Sequence, residues 1–348
     1  MQRKLRIGMI GVGGIARLAH LPALKELREL AELVAVADIN PETAQRAAWD
    51  YQAAHWFSDY QDMLQQVDLD AVFVCTPNKY HAPATVAALA AGCHVLCEKP
   101  PAITAREAEQ MAVTAAESGK LLYYGFHYRH AVEVGTLHRF IQAGELGEIY
   151  AATCVAIRRR GIPGWGVFTN RELQGGGPLI DIGVHMLDAA LYLLGYPRPQ
   201  AVYGATYQQL GRRPGVGLLG EWDYRDFSVE DMARGMIRFQ NGASILIDTA
   251  FAANVAERET MQVKLMGNLG GAELFPLRIF QERHGALLDT APAYLQQPRD
   301  CYLLQAEHFL RCCLGEEEPV STPEQGVTIT RIIEGLYQSA ASGELVHL

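Results

Sequence analysis

The sequence predicts two domains of α/β and α+β class: a doubly wound parallel sheet over residues 1-124, then a largely antiparallel sheet with helices over 125-348. From residue 5 to 124, short wholly apolar runs alternate with stretches rich in Ala, Leu, Glu and Gln, the pattern of parallel strands buried on both faces by helices. Beyond residue 125 the runs alternate inward and outward residues and are bounded by Gly or Asn-Gly, which marks antiparallel strands. The length, 348 residues, also exceeds what a single core usually supports.

The first-half strands are expected in LRIGMIGV, LVAVADI, AVFVCTP, CHVLCEK and LLYYGF. In the second half the pattern predicts a helix over 131-143, strands near 148-159, 200-209, 231-240, 243-251 and 260-267, and helices over 300-314 and 323-342. Asn241-Gly242, within RFQNGASIL, predicts a two-residue hairpin. Arg3, Lys4 and Arg6 before IGMIGVGGIA mimic a secretory leader, but four glycines and the nearby Arg17 and His20 favour a strand and turn. No run of about 18 uncharged apolar residues is present, so no transmembrane helix is expected.

Hydrophobic residues make up 49% and charged ones 20%, which excludes a disordered, collagenous or coiled-coil chain. Thirty Lys plus Arg against 39 Asp plus Glu give a net charge of −9 without long blocks of either sign, which speaks against nucleic-acid or membrane surfaces and for a small-molecule partner. Seven cysteines, an odd number in a long chain, suit reduced thiols and a cytoplasmic protein. In CHVLC, strand alternation sets His94 opposite Cys93 and Cys97, so no metal site is expected there.

The chemistry begins at the end of the first strand, where Gly11, Gly13, Gly14, Ile15 and Ala16 form a GxGxxA turn opening a helix. The first Gly permits a tight turn, the second lets the backbone approach a pyrophosphate, and Ala16 allows close helix–strand packing. A second apolar strand ends in Asp38, 22 residues past Ala16, where a ribose-binding carboxylate is expected. Asp38 would repel a 2′-phosphate, and Ile39, Asn40 and Pro41 bring no Arg to neutralise one, so NAD is expected over NADP. Asp38 also suits a turn before Pro41. Thr76, Pro77, Asn78 and His81 follow the next strand and fit either a cofactor crevice or a helix cap. Glu98 and Lys99 end the strand after that, and a Lys at a buried strand edge suggests a functional cation.

In GGGPLIDIGVHMLD, helical spacing puts Asp181, His185 and Asp188 at i, i+4 and i+7, on one face of one helix. A carboxylate one turn from an imidazole suits a general acid/base. It equally suits a core histidine behind an Asp that complements the helix N-terminus. Arg158, Arg159 and Arg160 lead into a loop carrying Trp165, which reads as a solvated strand end or as a receptor for an anionic substrate.

Taken in order, GVGGIA, the Asp38 strand end, CTPNKYH, AGCHVLCEKP, GGGPLIDIGVHMLD and VEDMARGMIRFQNGA resemble the landmarks of the glucose-fructose oxidoreductase, inositol dehydrogenase and rhizopine catabolism (Gfo/Idh/MocA) family across essentially the whole chain. The resemblance implies an NAD-binding Rossmann domain and a C-terminal domain with a large open sheet, helices on one face, and substrate-binding and oligomerisation roles. It implies that Lys99, preceding a cis Pro100, holds the reacting hydroxyl or carbonyl oxygen, with Asp181 and His185 as the acid/base pair. It implies substrate contacts from His127 and Tyr128, and a homodimer or homotetramer. The activity implied is NAD-dependent hydride transfer from a secondary hydroxyl of a sugar, cyclitol or related polyol. Within the same family, an NAD-assisted glycoside hydrolase and a non-catalytic NAD-responsive regulator are the alternatives. Pro101 departs from the apolar residue usual after EKP and stiffens the turn.

Overall fold

The computed structural model describes residues 3–295 and 299–348. The chain forms two compact units, Met1–His127 with Arg299–Val327, and Tyr128–Pro298 with Thr328–Leu348.

The first unit is built on strands β1 (Leu5–Ile10), β2 (Ala31–Ala37), β3 (His55–Phe57), β4 (Ala71–Val74), β5 (His94–Cys97) and β6 (Leu122–Tyr124), all parallel, in the order β3-β2-β1-β4-β5-β6. The direction of winding reverses at β1, and ligands of such sheets lie beyond the carboxyl ends of the strands at that point. Five of the six strands fall within two residues of the apolar runs that predict them. β3 was not foreseen, because three half-exposed edge residues carry no apolar run. Local chemistry sets the connecting helices. Asn40 Oδ1 accepts from the backbone of Glu42 and Thr43 to start Pro41–Tyr51, and Thr104 with Glu107 forms a capping box for Ala105–Ser118.

By its contacts this unit also takes in Arg299–Val327, which returns to it from late in the chain. The reason is packing: in the helix Cys301–Cys313, Ala306, Phe309 and Leu310 are wholly buried in one core with Ile7, Met9, Phe73, Leu96 and Tyr123. The Phe309 ring meets Phe73 edge-on at 5.4 Å and Tyr123 at 5.8 Å.

The second unit carries β7 (Ile149–Arg158), β8 (Pro199–Tyr207), β9 (Met232–Phe239), β10 (Ser244–Ala250), β11 (Glu259–Gly267), β12 (Gly271–Leu274), β13 (Arg278–Arg283), β14 (Ala286–Thr290) and β15 (Val346–His347). They form a sheet in the order β14-β13-β12-β11-β7-β10-β9-β8-β15, antiparallel except between β7 and β10. Asn241-Gly242 makes the expected hairpin, with Gly242 at φ +90° and Arg238 opposite Ser244. β12, β13 and β14 escape the sequence reading because they are short, charged and, in β14, exposed at every position. One face is covered by helices: Leu179–Gly183 packs on β7 and β10, and Val184–Leu193 on β7 and β11. The other face presents Tyr203, Met236 and Leu246 in one cross-strand row, 51%, 42% and 51% exposed.

Candidate active site

The glycine turn lies at the carboxyl end of β1. Gly11 has φ +83°, and a Cβ there would meet the Cys75 carbonyl oxygen at 2.7 Å, so only Gly lets the loops after β1 and β4 touch. At Gly13 and Gly14, by contrast, a Cβ would enter open space, leaving that stretch of backbone accessible to a ligand. Ile15 is half-buried and Ala16 fully buried against the core. The helix that follows opens as a π-turn, Ala16–His20, before Leu21–Glu26. Asp38 Oδ2 accepts from Val12 N at 3.0 Å and Oδ1 from Asn40 N at 3.0 Å, which ties the carboxylate to the glycine turn. Ile39 beside it is 93% exposed. Arg17, which the sequence reading did not single out, braces the same loop by donating to Val12 O and Thr43 O. An open glycine backbone, a carboxylate tied to it and an exposed apolar side chain suit a dinucleotide.

His81 spans the loops after β4 and β5: Nε2 is 2.9 Å from Thr76 O and Nδ1 2.7 Å from Pro100 O. Burial pushes its pKa down against those carbonyls, so the ring serves as a brace. Pro77 precedes the turn Asn78–Tyr80, in which Asn78 is buried. Glu98 is buried, with Oε1 2.7 Å from His20 Nε2 and Oε2 accepting from Lys99 N at 3.0 Å. Burial pushes this carboxyl up, but the bond and charge of His20 and the charge of Lys99 outweigh it and hold it below its usual value. From Val95 to Ala102, Lys99 is the one residue not buried, and the Lys99–Pro100 peptide is cis. The thiols of CHVLC go elsewhere: Cys93 Sγ donates to Leu69 O, while His94 Nδ1 accepts from Leu121 N.

In the second unit, Asp181 lies in the π-turn Leu179–Gly183 and His185 in the α-helix Val184–Leu193 that continues it. The π-turn changes the register that a uniform helix assumes, and Asp188 does not join the pair. It forms a buried ion pair with Arg129, receives the Tyr196 hydroxyl at 2.5 Å, and the guanidinium lies over the Tyr192 and Tyr196 rings. From Gly176 to Leu191 every residue except His185 is buried. Its ring stands edge-on to Tyr128 at 5.4 Å, and Tyr128 packs on Phe275 at 5.3 Å.

The glycine lead is shaped by a residue that sequence reasoning missed. Glu230 is buried and accepts from Gly177 N at 3.0 Å, Leu179 N at 3.3 Å and the Tyr337 hydroxyl at 2.8 Å. A Cβ on Gly176 would fall 2.0 Å from the Tyr337 hydroxyl, and one on Gly177 2.3 Å from Glu230 O, so both glycines are required by close approach. Its place in VEDMARGMIRFQNGA, directly ahead of a strand, was the one available signal.

His127 is buried and stacked on Tyr302 at 4.3 Å, and burial pushes its pKa down to about 4, leaving a neutral ring. Arg158 is bonded to Glu259, its cross-strand neighbour, at 2.7 Å, and Arg160 to Ala253 O and Asn254, so an anion at this strand end would compete with existing partners. Trp165 is 56% exposed on a loop whose Gly164 lies against the backbone of Gly220 and Glu221.

The strand order, glycine turn and Asp38 together define a dinucleotide-binding protein. The chain belongs to the Gfo/Idh/MocA family: residues 5–126 match its NAD-binding Rossmann fold, and residues 139–348 its C-terminal alpha/beta domain. It is 44% identical over 315 residues to the D-glucoside 3-dehydrogenase of Escherichia coli (strain K12), covering 90% of each chain. It is 30% identical over 294 residues to the 1,5-anhydro-D-fructose reductase of Ensifer adhaerens, covering 83% of this chain and 82% of that one. Among solved structures, the aldose-aldose oxidoreductase of Caulobacter crescentus complexed with glycerol superimposes with a TM-score of 0.81 at 27% identity, over 99% of this chain and 100% of that one.

Replacing Asp38 by Asn keeps the size and the acceptor facing Asn40 N but removes the charge. The expected result is a KM for NAD raised about 10- to 100-fold, the equivalent of losing charge-assisted bonds of about 1.5–3 kcal/mol, with a narrowed preference over NADP. Initial rates with each coenzyme check this, and an unchanged NAD/NADP ratio would reduce Asp38 to a turn residue.

Proposed function

We propose that this enzyme oxidises a secondary ring hydroxyl of a glucoside, cyclitol or related polyol, with Lys99, Asp181 and His185 as its catalytic residues and the 3-hydroxyl of a glucoside as the first substrate to try. The observation that carries the reading is that His185, four residues after Asp181, is half-buried where every other residue from Gly176 to Leu191 is fully buried, joined to the 44% identity with a D-glucoside 3-dehydrogenase. NAD, when bound, supplies the hydride acceptor. Gly11, Gly13, Gly14, Asp38 and Ile39 would hold it. Thr76, Pro77 and Asn78 belong to the same loop cluster, where His81 and Glu98 act as braces.

The chain's own groups do the rest. The Lys99 ammonium donates to the substrate oxygen and stabilises the negative charge that grows there. His185 takes the hydroxyl proton, and Asp181 orients the imidazole. His127, Tyr128 and Trp165 are assigned to the walls that receive the sugar, with Arg158 the contact for an acidic substituent.

Initial-rate absorbance at the reduced-nicotinamide band, with NAD and separately NADP, over glucosides, inositols, aldoses, anhydrosugars and sugar acids tests the proposal. Reduction of NAD by a glucoside is the expected result. Cleavage of a glucoside without net reduction would assign an NAD-assisted hydrolase instead, and silence across the panel with NAD bound would assign a regulator.

We further place the protein in the cytoplasm as a homodimer or homotetramer. Among the described residues no helix is long and apolar enough to cross a membrane. The Tyr203–Met236–Leu246 row, next to the Arg234–Asp248 ion pair on the same face, offers apolar surface to a second copy of itself. Replacing Met236 and Leu246 together by Lys should convert the oligomer to monomer in light scattering. A wild-type monomer at micromolar concentration would refute this assignment.

A further inference from the structure

Two polar side chains buried in the first unit meet beneath Lys99. His20 is fully buried and closes the π-turn that opens the dinucleotide helix, while Glu98 precedes Lys99 at the end of β5. His20 Nε2 lies 2.7 Å from Glu98 Oε1, and because an ionised carboxylate only accepts, Nε2 carries the shared proton. The second oxygen, Oε2, accepts from Lys99 N at 3.0 Å, and the Glu98 backbone N donates to Val74 O at 2.9 Å. Gly125 presses on this carboxyl from behind: a Cβ there would sit 3.1 Å from its carbon and both oxygens. The imidazole is itself wedged edge-on against Phe73 at 5.4 Å and Tyr302 at 6.0 Å. The carboxylate therefore has one orientation, and in it the Lys99 backbone is held by a side chain rather than by a strand.

We propose that His20 is a positioning residue for Lys99, acting through the Glu98 carboxylate. This rests on the reading of Lys99 as the residue that holds the reacting oxygen. The ionisable groups that interact with Glu98 are His20, Lys99, His127, His81, Cys75 and Cys97. Burial pushes the His127 and His81 rings towards the neutral form and the two thiols towards the protonated one, and among the groups that favour the ionised carboxylate His20 comes first, ahead of Lys99 and His127. Without the His20 donor, the carboxylate loses the bond that fixes Oε1, so Oε2 no longer meets Lys99 N in one orientation and the Lys99 segment loses its fixed pose.

The test compares His20→Phe, His20→Gln and His20→Asn in the full chain. Gln reaches the Nε2 position with an N–H donor, whereas Asn does not. His20→Phe is expected to lower kcat about 10- to 100-fold, the scale typical of lost outer-shell partners. Substrate KM and the Kd for NAD, followed by fluorescence quenching, should stay within about twofold. His20→Gln should recover kcat to within about fivefold of wild type, and His20→Asn should not. Wild-type kcat in His20→Phe overturns the proposal, as does equal impairment in all three variants with NAD affinity falling in parallel. If His20→Phe does not fold, the Gln-against-Asn comparison decides on the same criteria. Lys99→Met separates this from the parent reading. Full activity there removes the role of Lys99 whatever His20 does, whereas an inactive Lys99→Met beside a fully active His20→Phe overturns only the present proposal.

Discussion

Lys99→Met is expected to reduce kcat by about 10²–10³-fold, the cost of removing one donor aimed at developing negative charge in a site screened from water. Met keeps the unbranched length of the side chain while deleting the ammonium, so the buried neighbours from Val95 to Ala102 keep their packing. The backbone bond from Lys99 N to Glu98 also survives, since it does not depend on the side chain. NAD affinity should therefore change by less than about twofold. Stopped-flow appearance of reduced nicotinamide, with an independent NAD titration, separates the two effects. Wild-type turnover in this variant would remove Lys99 from the chemistry.

His185→Ala is expected to lower kcat by about 10²–10⁴-fold, the range for a positioned general base. Because His185 is the one residue of its segment not buried, the truncation should leave the melting temperature nearly unchanged. If His185 served mainly as packing, losing its edge-on contact with Tyr128 would instead lower stability by kilocalories. Two further readings sharpen the result. The primary deuterium isotope effect on substrate oxidation should rise as chemistry becomes slower than release, and added imidazole should restore part of the rate. If the rate holds while the melting temperature falls, His185 is a packing residue.

Most of the parallel sheet was legible because buried parallel strands must be apolar along their whole length, and runs such as AVFV, buried at all four positions, leave no alternative. The hairpin at Asn241-Gly242 was equally legible, since few sequences adopt its backbone. The outer strands β12 to β14 were not, because an exposed edge strand is free to be polar and leaves no period to read.

The candidate site divides in the same way. Gly11 and Asp38 were legible as a turn glycine and the carboxylate tied to that turn, and Lys99, Asp181 and His185 stood out in the sequence as candidates. The residues holding them were not: His20 sits 78 positions from Glu98, and Glu230 more than fifty from Gly177. Partners set by tertiary contact carry no local spacing. Asp188 shows the converse, since its helical spacing pointed to the site while a buried Arg129 claimed it.

The position of Phe309 bears on how this chain is made. The helix Cys301–Cys313 is read from the message long after the six strands whose core it completes. Until it emerges, the first unit on the ribosome leaves Phe73 and Tyr123 without their ring partner. A nascent chain halted at His127 therefore leaves apolar surface uncovered, and the nucleotide-binding unit, although encoded first, is completed only once residues 299–327 have emerged.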